Sequence, residues 1–399
     1  MTTEKNFLDR IPFWALAVVP LVLLAALVLL FVNTNPLAVS NAALPPIENI
    51  TIERITLPEA GMIQLELVNG GPDPVTIAQV LVDDAYWNFD MQPSNTLTRL
   101  QRATLLIPYP WVEAEAHELL LITNTGATFD AAVELSTQSP ATGGDQLLAY
   151  ALVGFYVGVI PVGLGLLWFP AMRRLGRVGM GFILSLTVGL LVFLLVDTFL
   201  EVLELSAELP GVFQGVPLGL FMALLTWLAI VAIGNRPQSA DRNSPEGRKF
   251  IGWLIALGIG FHNLGEGLVV GAAFALGEAA LGSFLVIGFI LHNITEGVGI
   301  AAPVAKDRPK LGWFLGVLLL AGGPAIPGAL IGAFAFSPLL GVIFLGIGLG
   351  AIWQVIVEVG RLLQRDAERD NMPLASWANL AGLAVGIAIM YVTAFLVKF

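Results

Sequence analysis

The sequence contains no cysteine, and only 12% of its 399 residues are charged. The absence of cysteine excludes disulfide bonds and metal sites with thiolate ligands. A soluble domain carries roughly 25% charged residues, so this composition, with 56% hydrophobic residues, indicates a membrane protein. The formal net charge of −11 argues against nucleic acid as a partner. Histidine is also scarce, and His117, which stands among glutamates, is expected to be solvated.

The first long apolar run extends from Pro12 to Val32, after a short polar start. About 21 residues are enough to cross a hydrocarbon core of about 30 Å as a helix. A cleaved signal peptide has a shorter apolar core, of about 7–15 residues. We therefore expect residues 1–34 to form a signal anchor and first membrane helix. Ala38-Val39-Ser40 also fits a cleavage site, so cleavage stays open.

Between residues 44 and 138 the pattern changes from continuous apolar runs to alternation. Apolar residues alternate in segments such as Ile63, Leu65 and Leu67, and turn sequences such as Asn69-Gly70-Gly71-Pro72 separate these segments. About seven short strands in some 90 residues predict a small β-sandwich domain. The sequence does not decide whether this domain docks a partner or caps the membrane part.

Eight further apolar segments follow a short linker at residues 140–145. They cover about 147–169, 178–204, 213–234, 250–276, 280–302, 311–336, 338–362 and 375–397. Each is long enough for a membrane helix, so residues 147–399 predict an eight-helix polytopic bundle. If the segments alternate, most of the 19 Lys and Arg residues fall on one side. The positive-inside rule then places the N-terminus in the cytoplasm, and residues 35–146 and the C-terminus outside it, in a cell membrane.

One polar pattern occurs twice inside these apolar segments. The first copy runs from His262 to Gly267 and the second from His292 to Gly297, 30 residues later. On a helix, the i, i+3 and i, i+4 spacings place the histidine, amide and carboxylate of each copy on one turn. Ionisable groups inside a membrane usually mark a functional site. The candidate metal ligands are therefore His262, Asn263, Glu266, His292, Asn293 and Glu296.

The apolar segments also carry several acids, whereas Lys and Arg are rare inside them. Asp197, Glu201 and Glu204 share a helix face near the outer end of the second segment, and Glu358 lies near the cytoplasmic end of the seventh. A charge at the bilayer centre costs about 2.5–3.5 kcal/mol on insertion scales, so protons or cations must balance these acids. We expect them to line a transport pathway. Its outer funnel would lie on the extracytoplasmic side of the central site, and its exit on the cytoplasmic side.

The ligand types limit the metal. Imidazole with carboxylate and amide, and without thiolate, suits Zn²⁺, Fe²⁺, Mn²⁺ or Co²⁺ better than Cu⁺. Mg²⁺ and Ca²⁺ prefer sites made entirely of oxygen. We take Zn²⁺ as the first candidate, although the residue types do not distinguish among the four metals.

Residues 147–399 resemble the ZIP family of divalent-metal transporters. The family's fourth helix carries a His-Asn-x-x-Glu-Gly pattern that residues 262–267 match in full, and its fifth helix carries a related motif that residues 292–297 match. Residues 197–201 are similar to its second-helix His-Leu-Leu-Pro-Glu stretch, with Asp197 in place of His, and residues 353–358 resemble its seventh-helix segment. The resemblance implies eight helices with both ends outside, a metal site between helices four and five, and uptake toward the cytoplasm.

Two positions depart from the family pattern. Many members have an acidic residue where Asn293 stands, and many have Glu-Pro in the sixth helix, where this chain has Ile326-Pro327. Without that carboxylate, the two motif glutamates balance one dication. We therefore expect one metal, held by the histidine and glutamate of both copies, with an asparagine as a weaker fifth ligand. The anchor and the β-domain lie outside the resemblance.

Three function classes are compatible with these features. A metal transporter, which is not an enzyme, accounts for the acids and the motif together. An intramembrane metal-dependent hydrolase needs a third strong ligand and an open water position. A receptor with a ligand-sensing β-domain leaves the intramembrane acids unexplained. The expected partners are divalent metal ions, as cargo, and the lipid membrane; a homodimer, a partner of the β-domain and the coupling ion stay open.

Overall fold

The computed structural model describes residues 13–34, 46–133, 135–139, 143–235, 244–276 and 279–397. The chain divides into two compact units after Pro46. The first unit contains helix α1 (Phe13–Thr34), whose 22 mostly apolar residues agree with the helix predicted there. Residues 1–12 of the predicted anchor, and the alternative cleavage site at residues 38–40, lie outside the described residues.

The second unit begins with a β-sandwich-like domain of two antiparallel sheets. Its strands are β1 (Ile50–Thr56), β2 (Ile63–Asn69), β3 (Val75–Val82), β4 (Ala85–Trp87), β5 (Asp90–Gln92), β6 (Thr96–Leu97), β7 (Arg102–Ile107), β8 (His117–Thr123) and β9 (Thr128–Val133). One sheet has the order β1-β2-β7-β5, and the other has β4-β3-β8-β9 with β6 paired to β3. Alternate residues of the longer strands, such as Leu65 and Leu121, form the core between the sheets.

The described residues contain nine strands, where the sequence predicted about seven. The difference comes from β4, β5 and β6, which are two or three residues long. Strands this short cannot display the alternation of period two on which the prediction relied.

His117 is buried, and the prediction that it is solvated is wrong. Its side chain is 5% exposed, and its Nδ1 lies 2.8 Å from Oδ2 of Asp83. The Tyr109 hydroxyl donates to the same oxygen, and the backbone N–H of Glu118 donates to Oδ1. Burial alone would raise the pKa of Asp83, but these hydrogen bonds together lower it below its usual value. Local sequence showed only the neighbouring acids, whereas the strand's pleat turns residue 117 inward.

Eleven α-helices of 4 to 32 residues form most of the rest of the second unit among the described residues. They are α2 (Gly144–Gly154), α3 (Ile160–Leu166), α4 (Phe169–Met172), α5 (Arg177–Ala207), α6 (Gly215–Gly234), α7 (Pro245–Ala275), α8 (Ala279–Ala301), α9 (Leu311–Gly322), α10 (Ala325–Ala335), α11 (Pro338–Arg369) and α12 (Trp377–Val397). Within the described ranges, they form eight spans that are long and apolar enough to cross a membrane. This agrees with the eight predicted segments and is consistent with a multi-pass membrane protein.

The first and sixth spans are interrupted near their middles. In the first span, a π turn at Phe155–Val159 separates α2 from α3. In the sixth, Gly323 and Pro324 separate α9 from α10, and a proline cannot donate the N–H that would continue the helix. Irregular backbone at membrane depth is tolerated where protein buries it. The π turn packs against α7 and α8, which carry the repeated motif, and the interruption of the sixth span packs against α7.

Glycines allow α7 and α10 to pack with their backbones in contact. A Cβ on Gly267 would collide with the carbonyl oxygen of Ala325, and a Cβ on Gly332 would collide with that of Leu268. Such close approach is the usual means by which membrane helices gain packing energy. It holds α7, the most buried of the eight spans, in one position against α10.

The β-domain contacts the end of the bundle at which α5 and α10 finish. Nη2 of Arg54, on β1, donates to the carbonyl oxygen of Ala333 over 2.9 Å. The last carbonyls of a helix carry partial negative charge, which favours a cation there. Burial at this contact lowers the pKa of Arg54 below its usual value. A Cβ on Gly70 would lie 2.6 Å from Cβ of Pro210, so the surfaces are also closely packed.

We predict that Gly332→Ala destabilises the bundle, because the added methyl group would strike the backbone of α7. The control is Gly360→Ala on α11, where an added Cβ meets nothing within 4 Å and removes the helix penalty of glycine, about 0.5–1 kcal/mol. The thermal midpoint of purified protein in detergent should fall for Gly332→Ala and stay or rise for Gly360→Ala. Equal midpoints for the two variants would contradict the packing argument.

Candidate metal centre

The centre of the bundle brings two histidines to one glutamate. His262 and Glu266 lie one turn apart on α7, with Nε2 of His262 2.9 Å from Oε1 of Glu266. Nε2 of His292, on α8, lies 2.5 Å from the same oxygen. One ligand atom from each of the three residues lies within 4.8 Å of the others. All three side chains are buried, so the group can hold a metal ion away from solvent.

Each motif asparagine connects the centre to one of the interrupted spans. Nδ2 of Asn293 donates to the carbonyl oxygen of Val157, in the π turn, over 3.0 Å, and to Oε2 of Glu266 over 2.9 Å. Nδ2 of Asn263 donates to the carbonyl oxygen of Ala321, in the last turn of α9, over 3.0 Å. Because the amide nitrogens are committed in this way, the amide oxygens remain as acceptors.

Buried oxygen atoms of the motif lack close hydrogen-bond donors among the described residues. Oδ1 of Asn263 and Oδ1 of Asn293 have none, and the carboxylate of Glu296, which has no donor within ordinary hydrogen-bond distance, has the amide of Asn263 as its neighbour. An unsatisfied buried polar atom costs about 1–3 kcal/mol, so native proteins contain few of them. Amide and carboxylate oxygens are cation ligands, so these atoms add suitable ligand types beside the histidine and glutamate group. The donor set of the centre therefore fits a divalent metal.

The structure does not assemble the predicted four-residue ligand set. It brings His262, Glu266 and His292 together, and the carboxylate of Glu296 lies outside that group. The reason is that α7 and α8, as consecutive spans, run in opposite directions. Glu266 lies one turn beyond His262 toward the β-domain, whereas Glu296 lies one turn beyond His292 away from it. The two copies of the motif thus meet head to tail.

The remaining predicted residues lie on both sides of the centre. Asp197 and Glu201 line a cavity of about 20 Å³ together with His262 and Glu266. Glu204 lines a larger cavity that also includes Glu201. Asp197 thus lies beside the centre, and Glu204 lies in the cavity nearer the end of α5; their role as a transport pathway stays a prediction.

Glu358 lies on α11 toward the opposite end of the bundle. Its side chain is 2% exposed, and its oxygens lie 3.7 Å from Nη1 of Arg361 and 3.7 Å from Nη2 of Arg365. The predicted inner-pathway acid therefore has basic neighbours, which the sequence showed only for Arg361.

Sequence reasoning missed Glu208. It lines the same cavity as Glu201 and Glu204, directly after the end of α5. Its spacing of i+4 from Glu204 and i+7 from Glu201 continues the acidic face, so the signal was present. The predicted segment ends at residue 204, so Glu208 falls outside it.

Comparisons with known proteins give no assignment for this arrangement. No protein-family model matches the chain, and no curated protein matches it. Among solved structures it is similar to the archaellum periplasmic stator protein FlaG from Sulfolobus acidocaldarius, with 13% identity and a TM-score of 0.20. That match covers 22% of this chain and 99% of the other. A TM-score this low carries no argument about function.

We predict that Glu266→Gln lowers the affinity of the purified protein for Zn²⁺ by more than about 100-fold. Loss of a residue that merely orients a metal ligand costs about 10–100-fold, and Glu266 is placed to be the ligand itself. The control is Glu358→Gln, another buried glutamate on the bundle, which should keep the affinity. Titration calorimetry measures both. Similar Zn²⁺ affinities for the Glu266→Gln variant and the unmodified chain would remove Glu266 from the site.

Proposed function

We propose that the chain transports divalent transition metals across a membrane, as the ZIP family does, from the β-domain side to the opposite side. The observation that carries this proposal is the group of His262, Glu266 and His292, buried midway through apolar spans and accompanied by oxygens without donors. A packing role needs neither two imidazoles on one carboxylate nor unsatisfied acceptors. A transiently bound cation explains both.

The geometry of the group is compatible with metal entry after a small movement. Tetrahedral Zn²⁺ has its ligands about 2.0–2.2 Å away, which places two ligand atoms about 3.3 Å apart. The nitrogens of His262 and His292 now lie 2.9 and 2.5 Å from the carboxylate oxygen of Glu266. Opening these contacts by less than about 1 Å would therefore admit an ion. Zn²⁺, Fe²⁺, Mn²⁺ and Co²⁺ all accept this donor set, and we place Zn²⁺ first.

The charge distribution supports the direction of transport. Arg173, Arg177 and Lys306 line a cavity at the end of the bundle away from the β-domain. Lys and Arg are enriched on the cytoplasmic side of membrane proteins. The β-domain would therefore lie on the extracytoplasmic side of a cell membrane. A dication moving inward then gains about 4.6 kcal/mol per 100 mV, since each charge contributes about 2.3 kcal/mol.

A second candidate function is an intramembrane metal-dependent hydrolase. Two histidines and one glutamate are a ligand set found in catalytic zinc sites, and the group supplies the third ligand that such an enzyme needs. The cavity beside His262 and Glu266 measures about 20 Å³, however, which is room for about one water molecule. An ion fits that space and a hydrolase substrate does not, so transport is the better-supported function.

We predict that the purified chain in proteoliposomes takes up Zn²⁺ and that Glu266→Ala abolishes this uptake. The reason is that the variant removes the carboxylate on which both histidines converge. The control is Glu118→Ala, at an exposed position of β8, which should transport normally. Uptake is followed with an enclosed zinc-sensitive dye. No uptake by the unmodified chain, or full uptake by Glu266→Ala, would contradict the proposed function.

We predict one tightly bound metal per chain. Glu266 and Glu296 balance one dication, and a second ion would add about two uncompensated charges in a medium of low dielectric constant. Elemental analysis after gel filtration should give a ratio near one. Ile326→Glu, at the start of α10, should raise it toward two by adding a carboxylate. A ratio of two in the unmodified chain would contradict the charge argument.

A further inference from the structure

The β-domain and the bundle enclose a cavity of about 360 Å³. Arg54 on β1 and Asp130 on β9 line it from one side. Glu208, Leu276 and Phe336 line it from the other, at the ends of α5, α7 and α10. The cavity thus lies beside the contact between Arg54 and Ala333 that joins the two domains.

A second cavity adjoins this one on the side of the bundle. Its volume is about 220 Å³, and it shares Glu208, Leu276 and Phe336 with the first and reaches Glu201 and Glu204 on α5. The shared residues show that the two spaces adjoin.

The second cavity in turn adjoins the metal centre. The cavity of about 20 Å³ beside the centre shares Glu201, Val269 and Leu345 with it, and ends at His262 and Glu266. A series of adjoining spaces therefore extends from the β-domain to the candidate metal ligands.

Negative charge and burial both follow this series. Asp130, Glu204 and Glu208 are exposed, Glu201 is half-buried, and Glu266 is 4% exposed. Clefts lined by one sign of charge concentrate the opposite ion and raise its rate of association by about 10–10³. Stepwise burial between carboxylates would let a cation exchange water for protein oxygens gradually.

Arg54, the basic residue that lines these cavities, does not oppose the attraction of cations. Arg54 is the one Lys or Arg among the described residues that line the three cavities, and its Nη2 is engaged by the carbonyl oxygen of Ala333. A gap left by loose packing of two domains would have no reason to join the buried centre or to gain acids along its length.

We propose that the gap between β1, β9 and the bundle is the entrance of the cation route, so that the β-domain forms the outer wall of the path to the centre. This proposal rests on the metal-binding role proposed above. It assigns to the β-domain a part in the rate at which metal reaches the centre, with no part in holding the metal there. Blocking the gap should therefore slow metal arrival and departure equally, and leave affinity unchanged.

The test uses the absence of native cysteine, which confines a thiol label to one introduced position. Ala132→Cys on β9 lines the gap. Thr128→Cys is the control, because it lies four residues earlier on the same face of the same exposed strand and does not itself line the cavity. Each full-length variant is labelled in detergent with trimethylammonium-ethyl methanethiosulfonate, and mass spectrometry verifies the label. The rate of Co²⁺ association is followed by absorbance in stopped flow, and uptake is measured after reconstitution.

Labelled Ala132→Cys should bind Co²⁺ about tenfold or more slowly, with unchanged Kd and reduced uptake. Labelled Thr128→Cys should match the unlabelled protein, and a reducing agent should restore Ala132→Cys. An unchanged rate of Co²⁺ association after labelling at position 132 would contradict the proposed entrance. It would not contradict the metal centre, because the protein would still bind Co²⁺. A chain that binds no Co²⁺ at all would overturn both proposals.

A charge variant gives a second measurement that does not depend on a label. Asp130→Lys should slow Co²⁺ association at low ionic strength, and added salt should reduce the effect because it screens exposed charges. The control is Asp90→Lys on β5, an exposed acid that does not line the cavities. Equal slowing by both variants would show a general charge effect and contradict the entrance.

Discussion

The bundle depends on how the carboxylate of Glu266 is held among apolar helices. Removing a carboxylate from water has an effective penalty of several kcal/mol unless partners surround it. Three side chains provide them, His262, His292 and Asn293, and all three are themselves buried. Since these partners come from α7 and α8, the carboxylate also fixes the two helices against each other.

The interrupted spans belong to the same arrangement. Asn293 reaches the π turn of the first span through Val157, and Asn263 reaches the end of α9 through Ala321. An amide that commits its nitrogen to a carbonyl presents its oxygen elsewhere as an acceptor. The irregular backbone at mid-depth therefore serves to orient two oxygens of the repeated motif. It also explains why the asparagines recur with the histidines and glutamates in both copies.

The β-domain is connected with the centre through the cavity that it lines together with the bundle. Its fold is complete without the bundle, since its core lies between its own two sheets. Yet Arg54 holds β1 at the end of α10, and Asp130 of β9 faces the acidic end of α5 across a shared space. A domain that served only as an anchor for partners would not need to place acids opposite the acidic face of α5.

The sequence alone determined the longer elements and the residue types that meet at the centre. Continuous apolar runs defined the eight spans, alternation defined the longer strands, and the spacing of His262 and Glu266 placed an imidazole over a carboxylate, because these depend on local periodicity. Only the tertiary structure decided that Glu266 meets His292 while Glu296 lies apart, because opposite helix directions reverse the second copy. The burial of His117 and the cavities from Asp130 to the centre were likewise decided by packing between segments distant in the chain, which no local pattern records.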